Sequence, residues 1–63
     1  MAEVRINHRS GQIVILTTFS QEQIARDFVK WGANEVTAIG EYSVAGGSVV
    51  LNFAEISSIE IIN

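Results

Sequence analysis

Only one stretch of this chain has helical periodicity, and nearly everything else reads as strand, a ratio that limits the folds open to it. From Ser20 to Gly32 the residues Ile24, Phe28 and Trp31 recur at i, i+4 and i+7, flanked by Ala25 and Val29, which makes one broad apolar stripe. Ser20 and Gln23 have the spacing of a capping box, and Phe19 and Ile24 that of the hydrophobic staple around it. Glu22 precedes Arg26 by four residues, the favourable orientation for an ion pair on a helix. Gly32 stands where a left-handed C-cap belongs. A helix is therefore predicted over residues 20–32.

Ahead of it, residues 3–8 alternate, with Val4, Ile6 and His8 on one face and Glu3, Arg5 and Asn7 on the other, the pattern of a half-buried strand. Ser10-Gly11 marks a tight turn into Ile13–Thr17, which is apolar on both faces and rich in β-branched residues, as an inner strand would be. Beyond the helix, Gly46-Gly47 is predicted to turn a hairpin of residues 36–45 and 48–54. That register sets Val44 opposite Val49, Tyr42 opposite Leu51 and Gly40 opposite Phe53; the other face, with Glu41, Ser43, Val50 and Asn52, is mostly polar and expected to meet water. A last strand over residues 56–62 carries Ile56 and Ile62 on one side and Ile59 and Ile61 on the other. The order is ββαβββ. It predicts a single α+β domain over residues 1–63, with a mainly antiparallel sheet and one helix packed on it.

One helix covers one face of a sheet. A chain of 63 residues buries only about 60% of its unfolded surface and is marginal by itself. With no cysteine there is no disulfide to help, so association is the remaining device. The Ile-rich last strand has no proline, and Glu60 is its only charge, so it lacks the usual protection of a sheet edge. Ile56, Ile59, Ile61 and Ile62 are the expected contacts of a homo-oligomer.

Composition removes several classes. At 48% apolar and 17% charged the chain is unlike an intrinsically disordered segment. Its longest apolar run, Ile13 to Leu16, is four residues, far short of a membrane span. Met1 to Arg5 lacks the apolar stretch of a signal peptide, which predicts a cytoplasmic protein with no membrane partner. The net charge of −3 is unevenly spread: residues 1–30 sum to +1, and residues 31–63 carry four glutamates and no basic residue. An acidic chain repels nucleic-acid phosphates, so general nucleic-acid binding is not expected. The asymmetry fits a solvated acidic face, opposite ends meeting between subunits, or an anion held near Arg5 and Arg9.

The chemistry of catalysis is sparse. His8 is the only histidine, it lies on the apolar side of its strand, and neither a nucleophile–base pair nor a metal set forms around it by spacing. Glu35, Glu41, Glu55 and Glu60 are not spaced to converge. Ala45-Gly46-Gly47-Ser48 has no lysine after it and does not open a helix, so it reads as a turn rather than a phosphate loop. Thr17-Thr18-Phe19-Ser20 precedes a helix N-terminus, where anions bind, although capping by Ser20 accounts for it. Arg5, Asn7 and Arg9 form a row of donors, either a solvated face or a cradle for a carboxylate or phosphate. Trp31 either stacks on a ligand ring or fills the core.

The expectation is a small protein that is not an enzyme and needs no cofactor. By size and fold analogy with regulators, inhibitors and sequestering proteins of phage or mobile-element type, it acts as a homo-oligomer. It would bind a partner protein or a small anionic ligand at a subunit junction, with Arg5, Asn7, Arg9 and Trp31 as candidate contacts. The alternative is a structural or assembly subunit whose role is its own interface.

Overall fold

The structure is a computed structural model and describes residues 1–62. Its elements are β1 (Ala2–His8), β2 (Ile13–Thr18), α1 (Gln21–Gly32), β3 (Ile39–Val44), β4 (Gly47–Asn52), a 3-10 turn (Phe53–Glu55) and β5 (Ile56–Ile62). This is the expected ββαβββ order and α+β class. β1 is the centre of an antiparallel sheet β2-β1-β5, and β3 and β4 form a separate hairpin. Val4 lies opposite Leu16 on one side and Ile61 on the other, and Ile6 opposite Val14 and Ile59. The two sheets join at the end of β2, where the Ala45 N–H donates to the Thr17 carbonyl at 2.8 Å and the Thr18 hydroxyl to the Ser43 carbonyl at 2.6 Å. The strands thus follow one another as β5-β1-β2-β3-β4.

The helix covers the inner face of this arrangement with Ile24, Phe28 and Trp31 of the predicted stripe, whereas Val29 on its flank is 71% exposed. Ile24 is fully buried against Val4, Ile6, Tyr42, Leu51, Phe53 and Ile56, while Phe28 and Trp31 close the edge of the cluster. Phe53 is the hub of the rings: its centroid is 5.6 Å from Phe28, edge-on, 6.5 Å from Trp31 and 6.4 Å from Tyr42. Each such side chain taken from water contributes about 1.5–3 kcal/mol.

The helix ends are built differently from their sequence signals. Ser20 is the N-cap residue but its side chain makes no cap bond, Gln23 donates instead to Asp27 Oδ1 at 2.8 Å, and Phe19 is exposed while Ile24 is buried. Neither capping box nor staple forms. The chain's entry is fixed by Thr18, whose buried hydroxyl accepts from the Ser20 N–H at 2.9 Å while donating to Ser43. At the other end the left-handed residue is Asn34 (φ 61°), not Gly32. The Asn34 N–H donates to the Trp31 carbonyl (3.0 Å) and the Glu35 N–H to the Lys30 carbonyl (2.9 Å), a Schellman closure two residues later than predicted.

The hairpin also slips. Val44 faces Gly47, Tyr42 faces Val49 and Gly40 faces Leu51, so the two-residue loop is Ala45-Gly46. Only Gly46 of that pair has positive φ (85°), as the second loop position of a type II turn requires. Moving the loop by one residue displaces every pair by two, so the faces survive. Tyr42 and Leu51 are buried, and Glu41, Ser43, Val50 and Asn52 meet water as predicted. Gly40 is needed because the Tyr42 ring lies over it; a Cβ there would stand 2.6 Å from Tyr42 Oη. Phe53 leaves the strand for the 3-10 turn, whose first free N–H, on Ala54, is accepted by Asn52 Oδ1 at 3.1 Å.

The largest correction concerns β5. Asn7 lies opposite Ser58 but His8 lies opposite Ile56, so Ser57 is an extra residue in the ladder. This bulge reverses the simple alternation and brings Ile56 to the same face as Ile59 and Ile61. Ile56 is 1% exposed and belongs to the chain's own core, which removes it from the expected oligomer contacts. No helix among the described residues is long and apolar enough to cross a membrane.

Candidate binding surface

Alternation along β1 turns Glu3, Arg5 and Asn7 away from the helix. The ladders surround them with three rows: Thr17, Glu3 and Ile62; Ile15, Arg5 and Glu60; Ile13, Asn7 and Ser58. The middle of this outer face is polar. An Arg5 guanidinium nitrogen is 3.9 Å from Glu60 Oε1, and Asn7 Nδ2 donates to the same oxygen at 2.9 Å and to Ser58 Oγ at 3.0 Å. Arg5 Nε is buried beside them and makes no hydrogen bond among the described residues. An ion pair this open contributes at most about 1 kcal/mol, so it orients side chains more than it stabilises them. On the β2 flank, Ile13 and Ile15 are 57% and 53% exposed. The face is therefore an apolar strip beside a hydrogen-bonded polar seam.

The structure brings Arg5 and Asn7 together, with Glu60 as their common acceptor. Arg9 follows the end of β1 in the exposed turn, and its backbone N–H donates to the Glu55 carbonyl at 2.9 Å. Trp31 is not part of this group: it stacks on Phe28 with centroids 6.1 Å apart, on the helix that covers the opposite side of the sheet. Of the remaining isoleucines on β5, Ile59 is half-buried against the core, and Ile61 and Ile62 stay 39% and 37% exposed on opposite faces. His8 is half-buried opposite Ile56.

Sequence reasoning missed three members of this face. It read Ile13–Thr17 as an inner strand, but that strand has one covered face only, so Ile13 and Ile15 face out. It left Glu60 among solvated carboxylates, because its pairing with Arg5 exists only once the last strand lies beside the first. No local spacing signals that neighbour.

A second polar cluster ties helix to hairpin. The Tyr42 hydroxyl donates to Asp27 Oδ2 at 2.7 Å, and Gln23 donates to the other oxygen. These two donors hold the Asp27 carboxyl below the usual range, the bond from Tyr42 having the greater effect. Burial, and then the neighbouring carboxylate, push the Tyr42 phenol up. Among the described residues no three His, Cys, Asp or Glu side chains group as metal ligands.

No protein-family model, no curated protein and no solved structure matches this chain.

Proposed function

We propose that the chain is a non-catalytic binding protein that works as a homo-oligomer, with the outer face of the β2-β1-β5 sheet as its contact surface. The observation that carries this reading is the contrast of cover: one helix shields the inner face, and Ile13 and Ile15 stand more than half exposed on the other. Removing such side chains from water contributes about 1.5–3 kcal/mol each, comparable as a group with the stability of a domain this small. The polar seam suits a symmetric contact, because a self-complementary surface needs both charge signs and Arg5 and Glu60 lie side by side. That same pairing favours a protein surface over a free anion as the further partner, since an anion reaching Arg5 meets the Glu60 carboxylate. A regulator or inhibitor that blocks a partner protein fits this surface better than a sequestering protein for a small anion.

Native mass spectrometry of the protein purified from its host tests the reading. The expected result is a whole multiple of the chain mass, with a partner protein retained. A multiple with nothing retained, at any salt concentration, would replace the binding role by that of an assembly subunit. A single-chain species with a melting temperature independent of concentration overturns the proposal.

A further inference from the structure

The free edge of β5 has a backbone pattern that specifies a partner. The His8 N–H donates to the Gln12 carbonyl on the β2 side, whereas the Arg9 N–H donates to the Glu55 carbonyl on the β5 side. Backbone groups along a strand point alternately to its two neighbours. Glu3, Arg5 and Asn7 therefore address β5, and the residues opposite them, Ile62, Glu60 and Ser58, address β1. Ile59 and Ile61 consequently turn their N–H and C=O groups outward, to an edge that no strand pairs among the described residues. The opposite edge of the sheet differs, because the Ala45 N–H already occupies the Thr17 carbonyl.

We propose, on the homo-oligomer reading above, that β5 pairs antiparallel with β5 of a second copy about a two-fold axis at Ile59. The product is a six-stranded sheet, β2-β1-β5-β5-β1-β2, whose two outer faces form one surface. A two-fold axis perpendicular to the sheet sets one residue opposite itself. Centred on Ile59, it lets the two Ile59 residues exchange both backbone hydrogen bonds and sets each Glu60 opposite a Ser58 hydroxyl, a neutral donor for the carboxylate. Centred on Glu60, it opposes two carboxylates in a non-hydrogen-bonded pair with Cα atoms about 4.5 Å apart, where like charges destabilise. Centred on Ile61, it overlaps only residues 60–62 of the strand. Charge and overlap both select Ile59.

Cross-linking tests the arrangement, since the chain has no cysteine and each variant adds one thiol. Ile59→Cys places opposed Cα atoms about 5.5 Å apart, within the range of a disulfide. The expected result is near-complete conversion to a disulfide-linked dimer in air at micromolar concentration, with circular dichroism of the reduced variant confirming the fold. Should Ile59→Cys fail to fold, a mixture of Ser58→Cys and Glu60→Cys, both on the exposed outer face, probes the same register. It should give the mixed disulfide in excess over either self-linked form. Glu60→Cys linking efficiently to itself overturns the register. Thiols that stay free in a protein still sedimenting as a multiple overturn edge pairing and leave the oligomer to the sheet face. A single-chain species overturns this proposal and the homo-oligomer reading together, and leaves the edge to a strand of a different chain.

Discussion

On the inner face of β1, Val4 and Ile6 lie in one cluster with Ile24 and Phe53 and have lost all contact with water. On its outer face, Arg5 and Asn7 are half-exposed between Ile15 and Ile13 on one side and Glu60 and Ser58 on the other. Backbone, ladder and neighbours are shared, so the difference comes from α1, whose single apolar stripe serves one face. Apolar side chains on the inner face close the core of a single chain. Those on the outer face contribute nothing to that core, and their burial has to come from contact with another molecule. On the proposed function, stability and recognition thus belong to opposite sides of one strand.

The largest expected effect tests this assignment directly. Ile6→Ala should cost about 2–5 kcal/mol in chemical denaturation, because the deleted atoms leave a cavity in a packed cluster. Ile15→Ala, measured in dilute protein, should change stability by less than about 0.5 kcal/mol and should instead weaken association through the outer face, read as a smaller sedimenting species. Equal losses from both would mean that the two faces are not distinct.

Next comes Thr18, the polar member of the inner row, fully buried opposite Ala2. Thr18→Val keeps the shape but strands the Ser43 carbonyl and the Ser20 N–H, so urea unfolding should show a loss of about 1–3 kcal/mol. A neutral result would mean that water reaches this end of the inner face.

Tyr42→Phe should cost about 1 kcal/mol at neutral pH, since its hydroxyl joins the inner side to the helix through Asp27. The effect should depend on pH. Asp27 has a lowered pKa in the folded chain, so its contribution is present above the unfolded value, about 3.9, and is lost as pH falls through the folded one. Urea midpoints at pH 7 and pH 3 should therefore differ less for Tyr42→Phe than for the unmodified chain. A gap that stays constant would separate the hydroxyl from the carboxylate.

The smallest effect is expected at Ser20. Its side chain makes no cap bond, so Ser20→Ala should stay within about 0.5 kcal/mol. A loss near 1 kcal/mol, usual for a working N-cap, would place the hydroxyl back on the helix end.

Periodicity made most of the fold legible. Alternation in residues 3–8 and the Ile24, Phe28, Trp31 stripe carry burial in their spacing, and both face as predicted. Where the reading went astray, one residue of offset or a non-local partner decided the outcome. Ser57 adds a residue to β5, and since side-chain period in a strand is two, that offset sends Ile56 to the core without changing the apparent pattern. Ser20 has the spacing of a cap, but it is Thr18, with a carbonyl from β3 within reach of its hydroxyl, that ties down the start of the helix. Asn34 is one of the few residue types besides glycine that adopt the left-handed region, so Gly32 stays within the helix and the closure falls on Asn34. Arg5 and Asn7 were readable as a donor row. Their acceptor was not, because Glu60 reaches them only through the pairing of the first strand with the last.

That pairing governs the order in which the molecule can form. The β1-β2 and β3-β4 hairpins each close over short loops and can form early, whereas setting Val4 beside Ile61 joins residues separated by almost the whole chain. Contacts of such high sequence separation are slow, since loop-closure entropy is lost before the contact rewards it. During synthesis, β1 keeps one unpaired edge until residues 56–62 have emerged, and Ile56 is missing from the core for just as long. Until then the nascent chain carries an open strand edge beside incompletely covered isoleucines.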